Sequence, residues 1–331
     1  MSDAKPLVAV TGATGFTGGA LVRALLAEDY RVRALVRDGR RCTTGHPGLE
    51  RITGDLADRQ ALAALVRGAE LVIHVAAKFR TEGPLEQFAA VNHRGTVNML
   101  EAARSAGVRR FVHCSTIGVH GDVLSGPADE ESPFNPRDNY QTTKVMAEDA
   151  CREEMARGDM EIVIARPCSI YGPGDLRMLK MFRLLSHRIF LMIGDGKPNF
   201  HPVYIDDLVE GFMATMRVPE AAGETFILGG PRYLPLDDYV ATAAAALGVP
   251  PPRFRLPYRV MSGAAWACEA VCRPVGLQPP LYRRRLTFFR HNRAFSIEKA
   301  RRMLGYSPRI DLEEGFRRTV AQYRRDGLLS G

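Results

Sequence analysis

Tyr140 and Lys144 stand four residues apart in Tyr140-Gln-Thr-Thr-Lys144, a spacing that puts both on one face of a helix. A phenol near its ordinary pKa of about 10 is a poor base at neutral pH. An ammonium close by favours the phenolate, so the pair is a candidate for moving a proton. By itself a Tyr-x-x-x-Lys recurs by accident. Here it follows Thr11-Gly12-Ala13-Thr14-Gly15-Phe16-Thr17-Gly18, with glycine at 12, 15 and 18 directly after the apolar run Leu7-Val8-Ala9-Val10. A strand, a tight glycine turn and an apolar helix bring backbone N–H groups against a pyrophosphate and pack the helix closely on the sheet. The pattern is GxxGxxG rather than GxGxxG, with a similar physical need.

Short β-branched runs alternate with amphipathic stretches and must position these groups. Strands are expected at Leu7–Val10, Arg31–Val36, Leu71–Val75, Arg110–Cys114, Glu161–Ala165 and Thr225–Leu228. Helices are expected at Phe16–Ala27, Ala61–Val66, about Leu85–Ser105, Tyr140–Met155 and Asp206–Met216. Such alternation implies βαβ crossovers and a doubly wound parallel sheet, the α/β Rossmann class. The dinucleotide-binding core is expected over 1–172, with 200–230 returning to it. A smaller, mostly helical substrate cap is expected from 173–199 and 231–331, where Pro250-Pro251-Pro252 and Pro279-Pro280 break the chain. Val260–Arg273 is apolar on nearly all sides apart from Glu269 and reads as a buried helix; shallow membrane contact is the other reading, since 14 residues cannot span.

The chain of 331 residues is 46% hydrophobic and 25% charged, enough apolar content to exclude wholesale disorder. No run approaches 18 uninterrupted apolar residues, so neither a spanning helix nor a cleavable signal is expected. Six cysteines, at 42, 114, 151, 168, 268 and 272, form no CxxC and no zinc spacing; no metal site and a reducing cytoplasm are expected. The net charge is +8, but residues 253–325 carry 17 basic and 5 acidic side chains. A solvated helical surface, an anionic membrane face or a phosphorylated small molecule would each suit that excess. No interleaving of aromatic and basic residues favours nucleic acid.

With its glycine loop the chain resembles the extended branch of the short-chain dehydrogenase/reductase superfamily. The resemblance covers roughly residues 6–325. Gly54-Asp55-Leu56 resembles the segment whose aspartate meets adenine, and His74-Val75-Ala76-Ala77 the strand end lining the cofactor. Val91-Asn92 with Gly95-Thr96 resembles the helix that props the active site. The resemblance implies a nicotinamide dinucleotide held by Gly12, Thr14, Gly15, Phe16, Arg37, Asp55, Leu56, Ala76, Ala77 and Lys144. Arg166-Pro167-Cys168-Ser169 resembles the loop touching the carboxamide, through Pro167 and Ser169. Val36 stands where an acid would bind the ribose diol of NAD, and Arg37 follows; a guanidinium there suits a 2′-phosphate, so NADP is favoured over NAD, with Asp38 keeping NAD open.

Counting back from Gly121, the catalytic hydroxyl of the family pattern falls on Thr116, beside Ser115. Tyr140 would exchange the substrate proton, Thr116 orient the oxygen and Lys144 bias the phenol. Cys114 and Cys168 read as packing residues, with no base beside either. Lys78, Ser115, Phe200 and His201 are candidate substrate-facing groups, and His201 reads equally as a loop residue bonding backbone. Ile117-Gly118 follows Thr116, which disfavours the family's dehydratases and decarboxylases, since they carry acids there. Nucleotide-sugar 4-epimerases remain an alternative, although Ser169 replaces their usual asparagine and Phe200 their diphosphate-binding arginine. Arg283-Arg284-Arg285, Arg290 and Arg293 keep that charge available. The set looks more like the 3β-hydroxysteroid dehydrogenase and sterol or flavonol reductase side of the branch. A catalytically silent dinucleotide-sensing regulator is the third reading. The resemblance also implies a homodimer through helices near 85–106 and 140–156.

Overall fold

The computed structural model describes residues 5–37, 45–79, 83–272, 277, 281 and 286–329. Asp38, Cys42, Pro279-Pro280 and Arg283-Arg284-Arg285 lie outside the described residues. Strands β1 (Leu7–Thr11), β2 (Arg31–Val36), β3 (Leu49–Thr53), β4 (Leu71–His74), β5 (Arg110–Cys114) and β6 (Glu161–Pro167) join Thr225–Leu228 in a seven-stranded sheet. Its order is Thr225–Leu228, β6, β5, β4, β1, β2, β3, and every pairing is parallel. Between them run α1 (Phe16–Ala27), α2 (Arg59–Val66), α3 (Leu85–Ala89), α4 (Gly95–Ser105) and α5 (Asn139–Arg157). This is the doubly wound Rossmann arrangement read from the alternation.

Alternate residues of a strand point to opposite faces, and both faces here are apolar. Val8 and Val10 share a core with Leu21 and Leu25 of α1 and with Phe212. Leu7 and Ala9 share another with Leu62 and Leu65 of α2 and Met99 of α4. The first core continues through α6 (Leu179–Ser186), α7 (Ile205–Arg217), α8 (Leu236–Leu247) and, near the carboxyl end, Leu312–Arg325, which contributes Phe316. Arg110 is buried, yet its guanidinium is spent on the carbonyls of Thr215, Met216 and Val218 at the end of α7 and on Glu161. It both caps that helix and ties it to the sheet.

Two elements differ from the sequence reading. Leu49–Thr53 forms an edge strand that was not foreseen, because LERIT faces solvent at most positions and lacks a β-branched run. Helix α9 (Tyr258–Cys272) forms but is not buried: only Ala265 and Glu269 are, while Val260, Trp266 and Val271 are exposed. The helix contributes one small contact surface, Ala265 against Ile193 and Leu286, too little to cover its other faces. No described helix is long and apolar enough to cross a membrane.

The glycine turn is set by backbone contact. Gly12 has φ +74°, and a Cβ there would stand 2.8 Å from the Ala76 nitrogen. A Cβ on Gly18 would run into the Gly12 carbonyl oxygen, so Gly18→Ala must push α1 away from the loop. A loss of about 1–3 kcal/mol is expected from such overpacking, read as a lowered urea midpoint; an unchanged midpoint would show that α1 can shift freely.

Candidate active site

The end of β1 and the start of α1 make the first wall. Gly15 precedes α1 in an extended conformation with no side-chain cap, and the first turn holds no acidic residue. Its backbone N–H groups and the positive end of the helix are therefore available to an anion. Thr14 and Gly15 are exposed at this turn. Beneath it, Thr11 Oγ1 meets His74 Nδ1 at 2.8 Å and accepts from the Ala76 N–H at 3.2 Å. Phe16 lies under the Arg177 guanidinium, 5.3 Å from its ring centre. The donor set and the missing Cβ at Gly12 fit a dinucleotide pyrophosphate.

Farther along the sheet edge, Val36 is buried and Arg37 exposed, so the acid of a diol-binding strand is absent at 36. Asp55 is exposed, accepting the Ala57 N–H at 2.8 Å, and Leu56 is buried, its carbonyl held by Asn98 at 2.9 Å. Ala76 is half-buried and Ala77 exposed after β4. These groups line the same carboxyl edge of the sheet as Gly12.

Tyr140, Thr116 and Lys144 come together where β5 ends and α5 begins. Asp138 caps α5 by accepting the Gln141 N–H, which starts the helix just before the phenol. Tyr140 is half-buried, with Thr116 as a hydrogen-bond partner. Thr116 Oγ1 also accepts the Gly118 N–H at 3.0 Å. Burial pushes the Tyr140 phenol up from its ordinary value; Cys114 and Asp138 push the same way, while Thr116 and Arg177 oppose them.

The expected lowering by Lys144 is not what the structure shows. The lysine is buried and spends its ammonium on the Cys114 carbonyl, 2.6 Å away, and on His113 Nε2, 3.0 Å away. Burial lowers its pKa as well.

Asn92 clamps the neighbouring loop. Its Oδ1 accepts the Lys78 N–H at 2.7 Å, and its Nδ2 donates to the Lys78 carbonyl and to Thr143 Oγ1 at 3.1 and 3.0 Å. It sits in a π-helical turn, Ala90–Arg94, between α3 and α4; such turns recur at functional sites. The Lys78 ammonium reaches Gln87 Oε1 at 3.1 Å. Phe79 packs on Tyr140, ring centres 4.7 Å apart.

Two candidate substrate groups point elsewhere. Ser115 is buried and its hydroxyl donates to Glu148 Oε1 at 2.5 Å. Glu148 in turn binds Arg166 through both oxygens, and Arg166 reaches His120 and the Glu130 carbonyl. His201 is buried, with Nε2 3.1 Å from the Gly230 carbonyl, the backbone-bonding alternative. Phe200 is buried in an aromatic group, 4.6 Å from Tyr239 and 5.3 Å from Phe288 between ring centres. Arg293 lies over it at 5.8 Å. Pro167 is buried at the end of β6, and Ser169, half-buried, donates its N–H to the His201 carbonyl at 2.9 Å. Burial raises the Cys114 thiol to about 11 and Cys168 further, which leaves neither as a nucleophile.

The sequence reading did not single out His113 or Arg177. The apolar strand Arg110–Cys114 gave no sign that its one imidazole would meet the lysine of a helix beginning 26 residues later. Arg177 could have been suspected from Asp175 two residues earlier, which holds its Nε at 2.5 Å.

A profile of the NAD dependent epimerase/dehydratase family matches residues 8–229. An uncharacterized protein of Sinorhizobium fredii, y4nL, is 35% identical over 95% of this chain and 94% of its own length. A 3-beta-hydroxysteroid dehydrogenase of Mycolicibacterium neoaurum is 30% identical over 96% of this chain and 91% of its own. Among solved structures, a UDP-glucuronic acid 4-epimerase of Bacillus cereus in complex with NAD superposes with TM-score 0.77. It covers 96% of this chain and 99% of that one at 23% identity, a likeness of fold.

The buried imidazoles predict a pH response. Burial lowers His74 to about 3 and His201 to about 4, and holds His113 well below the ordinary 6.5. Below pH 6.5 the unfolded chain takes up protons that these folded sites refuse, so stability present at pH 7 is lost as pH falls toward 4. Each histidine contributes a slope of up to about 1.4 kcal/mol per pH unit in that window. Urea unfolding at pH 7, 6 and 5 should show falling midpoints; a flat profile would mean that the imidazoles ionise in place.

Proposed function

We propose, for a chain that belongs to the NAD-dependent epimerase/dehydratase family and is an enzyme of the extended short-chain dehydrogenase/reductase type, that it interconverts a secondary ring alcohol and its ketone. The bound nicotinamide would supply the hydride acceptor or donor. The chain's own part is the proton. Tyr140 Oη gives a proton to the ketone oxygen as the alcohol forms, or takes it as the ketone forms. Thr116 shares the hydrogen bond that orients that oxygen, where charge develops. Lys144 anchors the helix face beside the cofactor ribose, and Asn92 holds the Lys78 loop against α5.

The observation that carries the substrate class is Phe200. A phenyl ring among Tyr239 and Phe288 offers an apolar aromatic wall where a diphosphate-binding cation would be needed. The 3-beta-hydroxysteroid relative supports a flat alicyclic alcohol. A second reading, a nucleotide-sugar 4-epimerase, has one observation in its favour: the Arg293 guanidinium over that same ring. We place the protein in the cytoplasm as a homodimer, with 1–172 and 200–230 holding the cofactor and 173–199 and 231–331 capping the substrate.

Incubation with NADP⁺ or NAD⁺ and a panel of ring alcohols, followed at 340 nm, tests the reading. Net reduced cofactor is expected. Inversion at C4 of a UDP-sugar without net reduction would replace it by the epimerase, and cofactor binding alone would leave a sensor. Tyr140→Phe should cut turnover more than about a hundredfold while cofactor affinity stays near normal; unchanged turnover removes Tyr140 from the proton step.

Arg37 supports a preference for NADP, because no acid stands at 36 and a guanidinium can fork onto a 2′-phosphate. Arg37→Ala should raise the KM for NADP about tenfold, the loss of one charge-assisted contact, and leave that for NAD nearly unchanged. A clear NAD preference in the parent enzyme, indifferent to the substitution, would overturn it.

A further inference from the structure

Helix α9 is amphipathic the wrong way round for a globular surface. Its one charged residue within Val260–Cys272, Glu269, is 5% exposed, whereas Val260, Trp266 and Val271 are 60%, 59% and 71% exposed. Gly263, Ala264, Ala267 and Ala270 are exposed with them, so positions 260, 263, 264, 267, 270 and 271 form one uncharged stripe at helical spacing. Leu277 and Phe254, either side of the helix, are also exposed. Contiguous apolar surface of this kind marks a contact site.

The charge around the stripe says what it contacts. Residues 253–293 carry nine arginines, and Glu269 is the segment's one acidic side chain. Among the described residues Arg253, Arg259 and Arg290 are exposed. An open depression of about 490 Å³ lies against the helix, lined by Tyr258, Arg259, Ser262, Gly263, Trp266 and Arg290. Two guanidinium groups, a tryptophan and a tyrosine around one hollow are the side chains that settle at a lipid headgroup boundary. A second copy of this chain would bring a like-charged face against the first. A nucleic acid would use the cations but leave the apolar stripe in water.

We propose that the α9 face docks on an anionic phospholipid bilayer, with Val260, Trp266 and Val271 entering the headgroup boundary and Arg259 and Arg290 meeting phosphates. The inference does not rest on the reaction assigned above. It does give an apolar ring alcohol a short route from the membrane to the cap.

Trp266 is the chain's single tryptophan, so the unmodified full chain reports on the contact. With vesicles of equal parts phosphatidylcholine and phosphatidylglycerol at low salt, its emission should shift to the blue and the protein should co-sediment. Vesicles of phosphatidylcholine alone, or high salt, should abolish both effects. Val260→Asp with Val271→Asp, and separately Arg259→Glu with Arg290→Glu, should weaken vesicle partitioning about tenfold or more. These positions are exposed, and unchanged circular dichroism and urea midpoints would verify that each pair folds. The proposal fails if the parent binds neither vesicle, if both double variants bind as well as the parent, or if nucleic acid alone shifts Trp266. It also fails if Trp266 is already blue in buffer and reddens only as a dimer dilutes apart on a sizing column, since a second copy would then cover the face. Ring-alcohol turnover in vesicle-free buffer reads the catalytic proposal separately.

Discussion

Gly12 and Ala76 approach so closely that the chain at the end of β1 has no room for a side chain, and the position of the whole site follows from that contact. The sheet order puts β1 beside β4 although other strands separate them in sequence, which is where chain direction switches and a crevice opens at the carboxyl ends. Thr11 closes the gap from below by bonding both His74 and the Ala76 N–H. The glycine turn is thus held from its own strand and from its neighbour, and α1 starts with its N–H groups directed outward. A looser turn would move the anion-binding end of the helix relative to Tyr140, whose helix is fixed from a different strand.

That second fixing is polar and buried. Isolated charges are costly away from water unless paired, yet Lys144, Glu148 and Arg166 all lie inside. Each is compensated by partners on other elements. Lys144 of α5 reaches Cys114 and His113 of β5; Glu148 of the same helix reaches Ser115 beyond β5 and Arg166 of β6. Helix α5 therefore cannot slide along the sheet without leaving a buried charge unpaired. The rotational setting of Tyr140, one turn before Lys144, is locked by contacts that lie beneath the substrate rather than beside it. Ser115 and Thr116 show the division directly: adjacent hydroxyls on an extended chain face opposite ways, one into this network and one toward the phenol.

Much of this was legible because it depends on local rules. The glycines at 12, 15 and 18, the Tyr140–Lys144 spacing and the β-branched strands each state their geometry within a few residues. What escaped reading depends on pairing between distant elements. His113 looks like any strand residue until β5 and α5 are packed together. Ser115 is indistinguishable from Thr116 in composition, and only the pleat and the position of Glu148 separate them. Leu49–Thr53 is an edge strand whose residues meet solvent, so no apolar alternation announces it. Helix α9 misled for the opposite reason: an apolar run predicts burial only when another element is there to cover it, and here Ala265 alone finds Ile193 and Leu286.

The cap's substrate preference turns on how Arg293 is held. Its guanidinium faces the carbonyls of Thr287, Phe288 and His291 at 3.4 to 3.5 Å, contacts too long to replace water fully. Burial accordingly lowers its pKa to about 10. Such a cation would gain from an anion, which is the case for a diphosphate. The Phe200 ring, however, lies against it and takes up part of the charge through its π face. A diphosphate entering there would have to displace that ring from Tyr239 and Phe288, giving up aromatic contact and buried area together. An alcohol on an apolar ring system needs no displacement, because it meets the phenyl group as it stands, with the cation screened behind it.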